Sequence, residues 1–360
     1  MVSGPKRHAL PISPSCNTLA RLRQQNHQTG QDGYDLLSAI YSDEAMTPFS
    51  SIPAVETLRQ VWLQNFELSD SQLKWRANKH TPPAGDYIGF PYDTQARYKL
   101  KQSTDWSDYK IHLTESCDDE TTNIITNVST SNAAISDDAM TAQIHAALDK
   151  RDLLPDKHIA DTGFVNSELI VKSLEDYAII LIGPSRADNS RQGKEGKGFS
   201  AQDFRIFWDE KHAVCPEGKA SISWTPAFDR VKNEVVKIKL SMTDCKPCLS
   251  RQLCTQSKTQ RRTISIRPQA QHEALIARRL HEKTAEFKTD YAQRSGIEGT
   301  IAQGIRSCDM RRSPYFGEPK THLAHLMTAT PMNLVRILNW LDGLPKSTAQ
   351  PSSFQRLCTI

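Results

Sequence analysis

At 360 residues the chain is long enough to bury a sizeable core, as one large or two ordinary domains. With 38% hydrophobic and 24% charged residues its composition is globular. The longest apolar run, Tyr177 to Ile182, falls far short of the roughly 20 residues of a bilayer span, and the start has no apolar core of a secretory signal, so a cytoplasmic protein without a membrane partner is expected. The net charge of +4 is unevenly placed. From Lys258 to Lys320 thirteen Lys and Arg face seven Asp and Glu, whereas Asp105 to Asp138 holds eight acidic residues and one Lys. This is either a polyanion path over one part of the surface or two solvated faces of opposite sign.

In chain order, residues 1–31 are rich in Pro, Ser, Gln and Arg without sustained periodicity and are expected to lack order. Residues 32–92 read as a helical segment and linker. Val55, Leu58, Val61 and Trp62 share one face of a helix from Pro53, and a Pro- and Gly-bearing connector runs from about Asn78 to Tyr92. Residues 93–184 hold alternating elements. Trp106 to Leu113 alternates apolar and polar residues as a half-buried strand, Asn123 to Thr130 is a β-branched partner, and the acidic turn Cys117 to Thr122 joins them into a hairpin. Ser136 reads as the N-cap of a helix to about Asp149, with Asp137 and Asp138 in its first turn. A short strand His158 to Asp161 precedes a helix from Val165 to Ser173 and a buried strand from Tyr177 to Ile182. This order, followed by an irregular insertion (185–272), a helical part (273–345) and a tail (346–360), is that of an RNase H-like α/β fold.

Two places in this layout suggest chemistry. Asp161, in Asp161-Thr162-Gly163-Phe164, stands where a strand meets a turn; it is either the cap of that turn or a ligand-binding carboxylate. Tyr291, Arg294 and Glu298 are spaced to share one helix face, either as an exposed i,i+4 ion pair or as a functional cluster. Arg before Glu is the less favourable orientation for helix support. Gly296, Gly299 and Gly304 each cost about 1 kcal/mol relative to Ala, so close approach by a neighbour is expected here.

Taken together, these motifs resemble the DDE-class transposases of bacterial insertion sequences, in the branch with the signature Tyr-x-x-Arg-x-x-x-Glu followed by a basic residue. Arg306 would be that residue, one position later than usual. The stretches Arg311 to Leu323 and Ala329 to Leu341 look like the same family, and the resemblance covers roughly Tyr34 to Phe354. It implies a retroviral-integrase-like RNase H core and Mg²⁺- or Mn²⁺-dependent cleavage and transfer of DNA strands at the double-stranded ends of an insertion sequence. Asp161 would be the second catalytic carboxylate, with Phe164 where Tyr is more usual, and Glu298 the third, both as metal ligands. Such chemistry suits two hard cations about 3.5–4 Å apart held by carboxylates. Tyr291, Arg294, Arg306, Arg311, Arg312 and Lys320 would contact DNA.

In this family the first catalytic Asp stands on a strand upstream of the segment resembling Gly33 to Trp62, and no such strand precedes Gly33. The resemblance thus implies an N-terminally truncated member, incomplete at its first strand, with Asp93 as a candidate third carboxylate. The alternative is a non-catalytic fragment that binds DNA, a second copy of itself or a full-length transposase. Within the insertion, Cys215, Cys245, Cys248 and Cys254 could close a structural Zn²⁺ site, Cys245-x-x-Cys248 being the knuckle half. Relatives carry cysteines at these places; reduced structural cysteines are the other reading. A small zinc-dependent nucleic-acid-binding protein is a third functional possibility. Cys16, Cys117, Cys308 and Cys358 read as inert, and Lys258, Arg261 and Arg262 as a phosphate grip or a solvated basic loop.

Overall fold

Helical structure begins earlier than the composition suggests. The computed structural model describes residues 16–344 apart from 70–71, 102–103 and 119, and its first element is a helix, α1 (Cys16–Ser42). Residues 16–31, expected to lack order, form its first turns; the rest of that expectation, and the tail from 346, lie outside the described residues. Packing explains the helix where periodicity does not. Trp62, on α2 (Pro53–Asn65), donates its indole N–H to Gly30 O at 2.8 Å. A Cβ on Gly30 would lie 2.3 Å from the Phe66 ring, and one on Gly33 2.8 Å from Trp62. The two glycines are notches into which aromatic rings fit, and this packing rather than propensity holds the helix.

The chain divides into two compact units assembled from discontinuous segments. The first gathers the described residues up to His112 with Thr130–Ile135 and Met310–Met327. After α2 it contains the antiparallel pair β1 (Phe66–Ser69) and β2 (Gln72–Trp75), with Leu37, Trp62 and Phe66 as a local core. The connector that follows is pinned by Gln64, which donates to Ile88 O at 2.7 Å and accepts from Ile88 N–H at 3.0 Å.

A three-stranded antiparallel sheet runs β3 (Arg97–Lys101), β4 (Thr104–Glu115) and β5 (Ile125–Asn132), with β4 central. Its β4–β5 turn is closed by Ser116 N–H donating to Ile124 O at 2.9 Å. Tyr109 and His112, of opposite parity, are both buried, so β4 is covered on both faces rather than half-buried.

The second unit gathers Leu113–Ser129, Ser136–Asp309 and the described residues from Thr328 on. Here α3 (Asp137–Asp149) precedes β6 (Lys157–Ile159), which pairs in parallel with β7 (Ile180–Ile182) through the crossover helix α4 (Ser167–Tyr177). Asn166 caps α4 by accepting from Leu169 N–H at 2.9 Å. The helix overruns its expected end and stops at Ala178, in the left-handed region at φ 57°, so β7 is shorter than the apolar run that predicted it. The expected order of strands and helices is present, but among the described residues β6–β7 and β3–β4–β5 are separate hydrogen-bonded sheets.

The insertion is more regular than expected. After α5 (Arg191–Glu195), β8 (Arg205–Phe207) and β9 (His212–Val214) form a hairpin, and β10 (Ser221–Phe228), β11 (Glu234–Leu240) and β12 (Thr263–Ile266) form a meander. The register pairs Val236 with Ile266 and Ile238 with Ile264, and Phe204, Ala213, Ile238, Leu240, Ile264 and Ile266 make a core for this segment. Two short helices, α6 (Met242–Cys245) and α7 (Arg251–Cys254), lie between β11 and β12. Then follow α8 (Gln269–His281), α9 (Ala285–Ala292), α10 (Ser295–Cys308) and α11 (Glu318–Leu341). No helix among the described residues is long and apolar enough to cross a membrane.

Candidate active site

Asp161 follows β6 directly. Ala160 N–H extends the parallel ladder by donating to Ile182 O at 2.8 Å, and the next residue turns away. Asp161 caps the single turn Thr162–Phe164, accepting from Thr162 N–H at 2.8 Å. One carboxylate oxygen makes that bond, and the side chain is 56% exposed. Asp161 is thus the cap of its turn, and its side chain stays open to solvent.

The second part of the site comes from α9 and α10, which are not one helix. Arg294 N–H donates to Tyr291 O and Ile297 N–H to Arg294 O, at 3.1 and 3.2 Å. These i,i+3 bonds tighten the backbone into a 3₁₀ turn between the helices. Tyr291 thus ends one helix while Glu298 lies in the first turn of the next, with Arg294 at the junction. This corrects the single face read from the spacing, yet the side chains still converge. Arg294 Nη1 lies 2.7 Å from Glu298 Oε1 and Nη2 lies 3.6 Å from Asp161 Oδ2. Its guanidinium carbon sits 5.8 Å from the centre of the Tyr291 ring. One cation therefore bridges two carboxylates from distant parts of the sequence, with an aromatic ring beside it. Burial raises the Tyr291 hydroxyl above its usual range, and Asp161 and Glu298 add to that against the opposing pull of Arg294.

The scaffold behind this cluster is anchored at three points. Lys157 on β6 pairs with Asp290 on α9 at 2.8 Å. Arg278 on α8 donates to Leu181 O on β7 and lies over Phe287, on which Tyr291 stacks at 5.7 Å and 11°. On the far side of α10, Thr300 donates to Glu115 at 2.5 Å, and Arg336 reaches Glu115, Asn123 O and Thr300 at 3.0, 3.0 and 2.5 Å. A Cβ on Gly296 would lie 3.0 Å from Asn123 Nδ2 and 3.2 Å from Glu115 Oε1, which is the close approach expected of a glycine there. Gly299 has nothing within 4 Å. Glu115, Thr300 and Arg336 escaped the sequence reading because nothing in their spacing connects a strand end to two helices far along the chain.

Asp93 lies in the first unit and is 6% exposed. Its oxygens accept from Tyr109 Oη at 2.8 and 3.0 Å, from Gln95 and Ala96 N–H at 3.1 and 3.2 Å, and from Gly317 N–H at 2.8 Å. Burial alone would raise its pKa, but these bonds prevail and hold it low. Such a carboxylate organises the turn into β3 and the approach to α11. Arg306 is exposed on the last turn of α10, whereas Arg311, Arg312 and Lys320 are exposed in the first unit.

Cys215, Cys245, Cys248 and Cys254 line one cavity in the insertion, together with Phe199, Leu240 and Arg262. Burial pushes the Cys254 thiol up to about 11. Among the described residues, no three or more His, Cys, Asp or Glu side chains are arranged as they stand to hold a metal ion.

No curated protein and no solved structure matches the chain. Residues 214–338, which include the four cysteines and the Tyr291, Arg294 and Glu298 segment, match the family described as Transposase DDE domain, and this match supports a DDE transposase.

Proposed function

We propose that the chain acts on DNA by DDE-type phosphoryl transfer, with Asp161 and Glu298 as metal-binding carboxylates of an RNase H-like core. The observation that carries this reading is the shared guanidinium: two exposed carboxylates, one from a strand end and one from a helix, flank Arg294 within 4 Å. Oxygen donors of this kind suit Mg²⁺ or Mn²⁺, which when bound would polarise a phosphate and stabilise the charge on the attacking and leaving oxygens.

Arg294 lies within 4 Å of both carboxylates and offsets their charge. With a cation held by these carboxylates, the planar fork of Arg294 would be free to grip a DNA phosphate, with Tyr291 beside it as a hydroxyl donor. The phosphate contacts position the strand and carry no sequence information. Arg306, Arg311, Arg312 and Lys320 supply further phosphate contacts, and double-stranded DNA of an insertion-sequence end is the substrate.

A second reading rests on Asp93. With the oxygens of Asp93 engaged inside the first unit, the cluster around Arg294 holds two carboxylates, Asp161 and Glu298, which supports a non-catalytic fragment that binds DNA or another transposase copy. A strand-nicking and strand-transfer assay on the element's terminal repeats, with Mg²⁺ or Mn²⁺, separates the readings. The catalytic reading expects nicking by the native chain and its loss, by at least about 100-fold, in Glu298→Gln. Equal nicking by both would sink the role of Glu298. DNA binding without nicking under either metal would establish the second reading.

A further inference from the structure

We propose that Cys215, Cys245, Cys248 and Cys254 close on a structural zinc ion that joins the two small sheets of the insertion. The thiols come from separate turns and line one cavity of about 30 Å³, together with Phe199 and Leu240 and with polar side chains that include Glu217, Asp244 and Arg262. Four sulfurs facing one space suit a soft or borderline cation, and four thiolates make the closed tetrahedral set of structural zinc sites.

The backbone is shaped for it. At Cys215, the N–H donates to Lys219 O at 2.9 Å and the carbonyl accepts from Gly218 N–H at 2.9 Å, with Gly218 at φ +77°. The tight turn so formed aims Lys219 N–H at the sulfur of Cys215 at 3.4 Å, a bond that strengthens when the sulfur carries charge. On the opposite side Cys248 N–H donates to Cys245 O at 3.3 Å, and Cys254 N–H to Ser250 O at 3.2 Å. These turns hold the Cys-x-x-Cys pair and the fourth cysteine at the cavity.

A second, independent observation is Arg262. Its guanidinium lines the same cavity and binds Cys254 O at 2.7 Å and Phe199 O at 3.2 Å, while its buried Nε finds no hydrogen-bond partner. A buried cation with an orphaned donor is costly among neutral thiols. Beside a zinc tetrathiolate, which carries two negative charges, it is placed to offset one of them. Binding would draw the thiols inward from positions where they already face a common space, and release their protons.

The test needs no DNA, so it stands or falls apart from the transposase reading. The full chain is purified under reducing conditions without chelator, its zinc is counted by elemental analysis, and Co²⁺ is substituted to read the thiolate charge-transfer absorption. One zinc per chain is expected, with the absorption of a tetrahedral cobalt thiolate and a lower melting temperature after chelation. Cys245→Ser/Cys248→Ser should lose the zinc; if that variant does not fold, the cobalt spectrum of the native chain decides. Zinc absent with four thiols titratable, a disulfide among the four, iron in place of zinc, or a cobalt spectrum without thiolate bands would each overturn the proposal.

Discussion

Glu115 is a buried carboxylate, its side chain 5% exposed, and its charge is met by Arg336 at 3.0 Å and the Thr300 hydroxyl at 2.5 Å. Removing one partner of such a pair leaves an uncompensated buried charge, a loss typically of about 3–5 kcal/mol. Arg336→Ala should therefore lower the stability of the chain by roughly 3 kcal/mol in urea unfolding; a change below about 0.5 kcal/mol, the size of an ordinary surface substitution, would show that the pair carries little. The contrast with Arg294 and its carboxylates is instructive. Asp161 and Glu298 are 56% and 62% exposed, so water screens that cluster and its value is in positioning rather than stability. At this scale Asp161 and Glu298 were legible in the sequence because each sits in a short motif with its neighbours. Glu115 was not, because its partners lie some 185 and 221 positions away.

The helices show what periodicity alone can and cannot tell. The spacing of Tyr291, Arg294 and Glu298 carried over into a shared location even though the helix is interrupted, because a single 3₁₀ turn changes the angle of the face by much less than half a turn. The glycines of α10 divide by environment. Gly299→Ala meets nothing within 4 Å and should stabilise by about 1 kcal/mol, the helix-propensity difference. Gly296→Ala places its methyl 3.0 Å from Asn123 and 3.2 Å from the Glu115 network, so it should gain less than Gly299→Ala or lose stability. Urea unfolding of the two variants side by side checks this, and equal gains would mean that α10 does not press on Asn123 and Glu115 as described. The disorder expected for residues 16–31 failed for a related reason: the segment is polar and lacks periodicity of its own, while the rings that fill the notches at Gly30 and Gly33 come from α2 and β1.

For the whole molecule, acid sensitivity follows from three histidines held neutral. His145 and His158 share a 2.8 Å hydrogen bond; burial lowers both, with His158 brought to about 4 and His145 adding to its shift. In the other unit His325, which shares a 2.8 Å bond with Thr130, is lowered by burial and by His322 to about 4. Each folded pKa lies below the ordinary value of 6.5, so the unfolded chain binds more protons between them. Stability is full above about pH 6.5 and falls as the pH drops toward 4, by roughly 2 kcal/mol or more in sum. Urea midpoints from pH 7.5 to 4.5 read this, and a flat profile would mean the histidines are free to charge in place. If Asp161 and Glu298 hold a divalent metal for DNA strand transfer, as proposed, a change of ligand softness reveals it most directly. Asp161→Cys and Glu298→Cys should each lose nicking in Mg²⁺, which avoids thiolates, and recover it in Mn²⁺, which tolerates them better. Variants as active as the native chain in Mg²⁺, or equally impaired in both metals while the native chain nicks in both, would contradict metal ligation by these carboxylates.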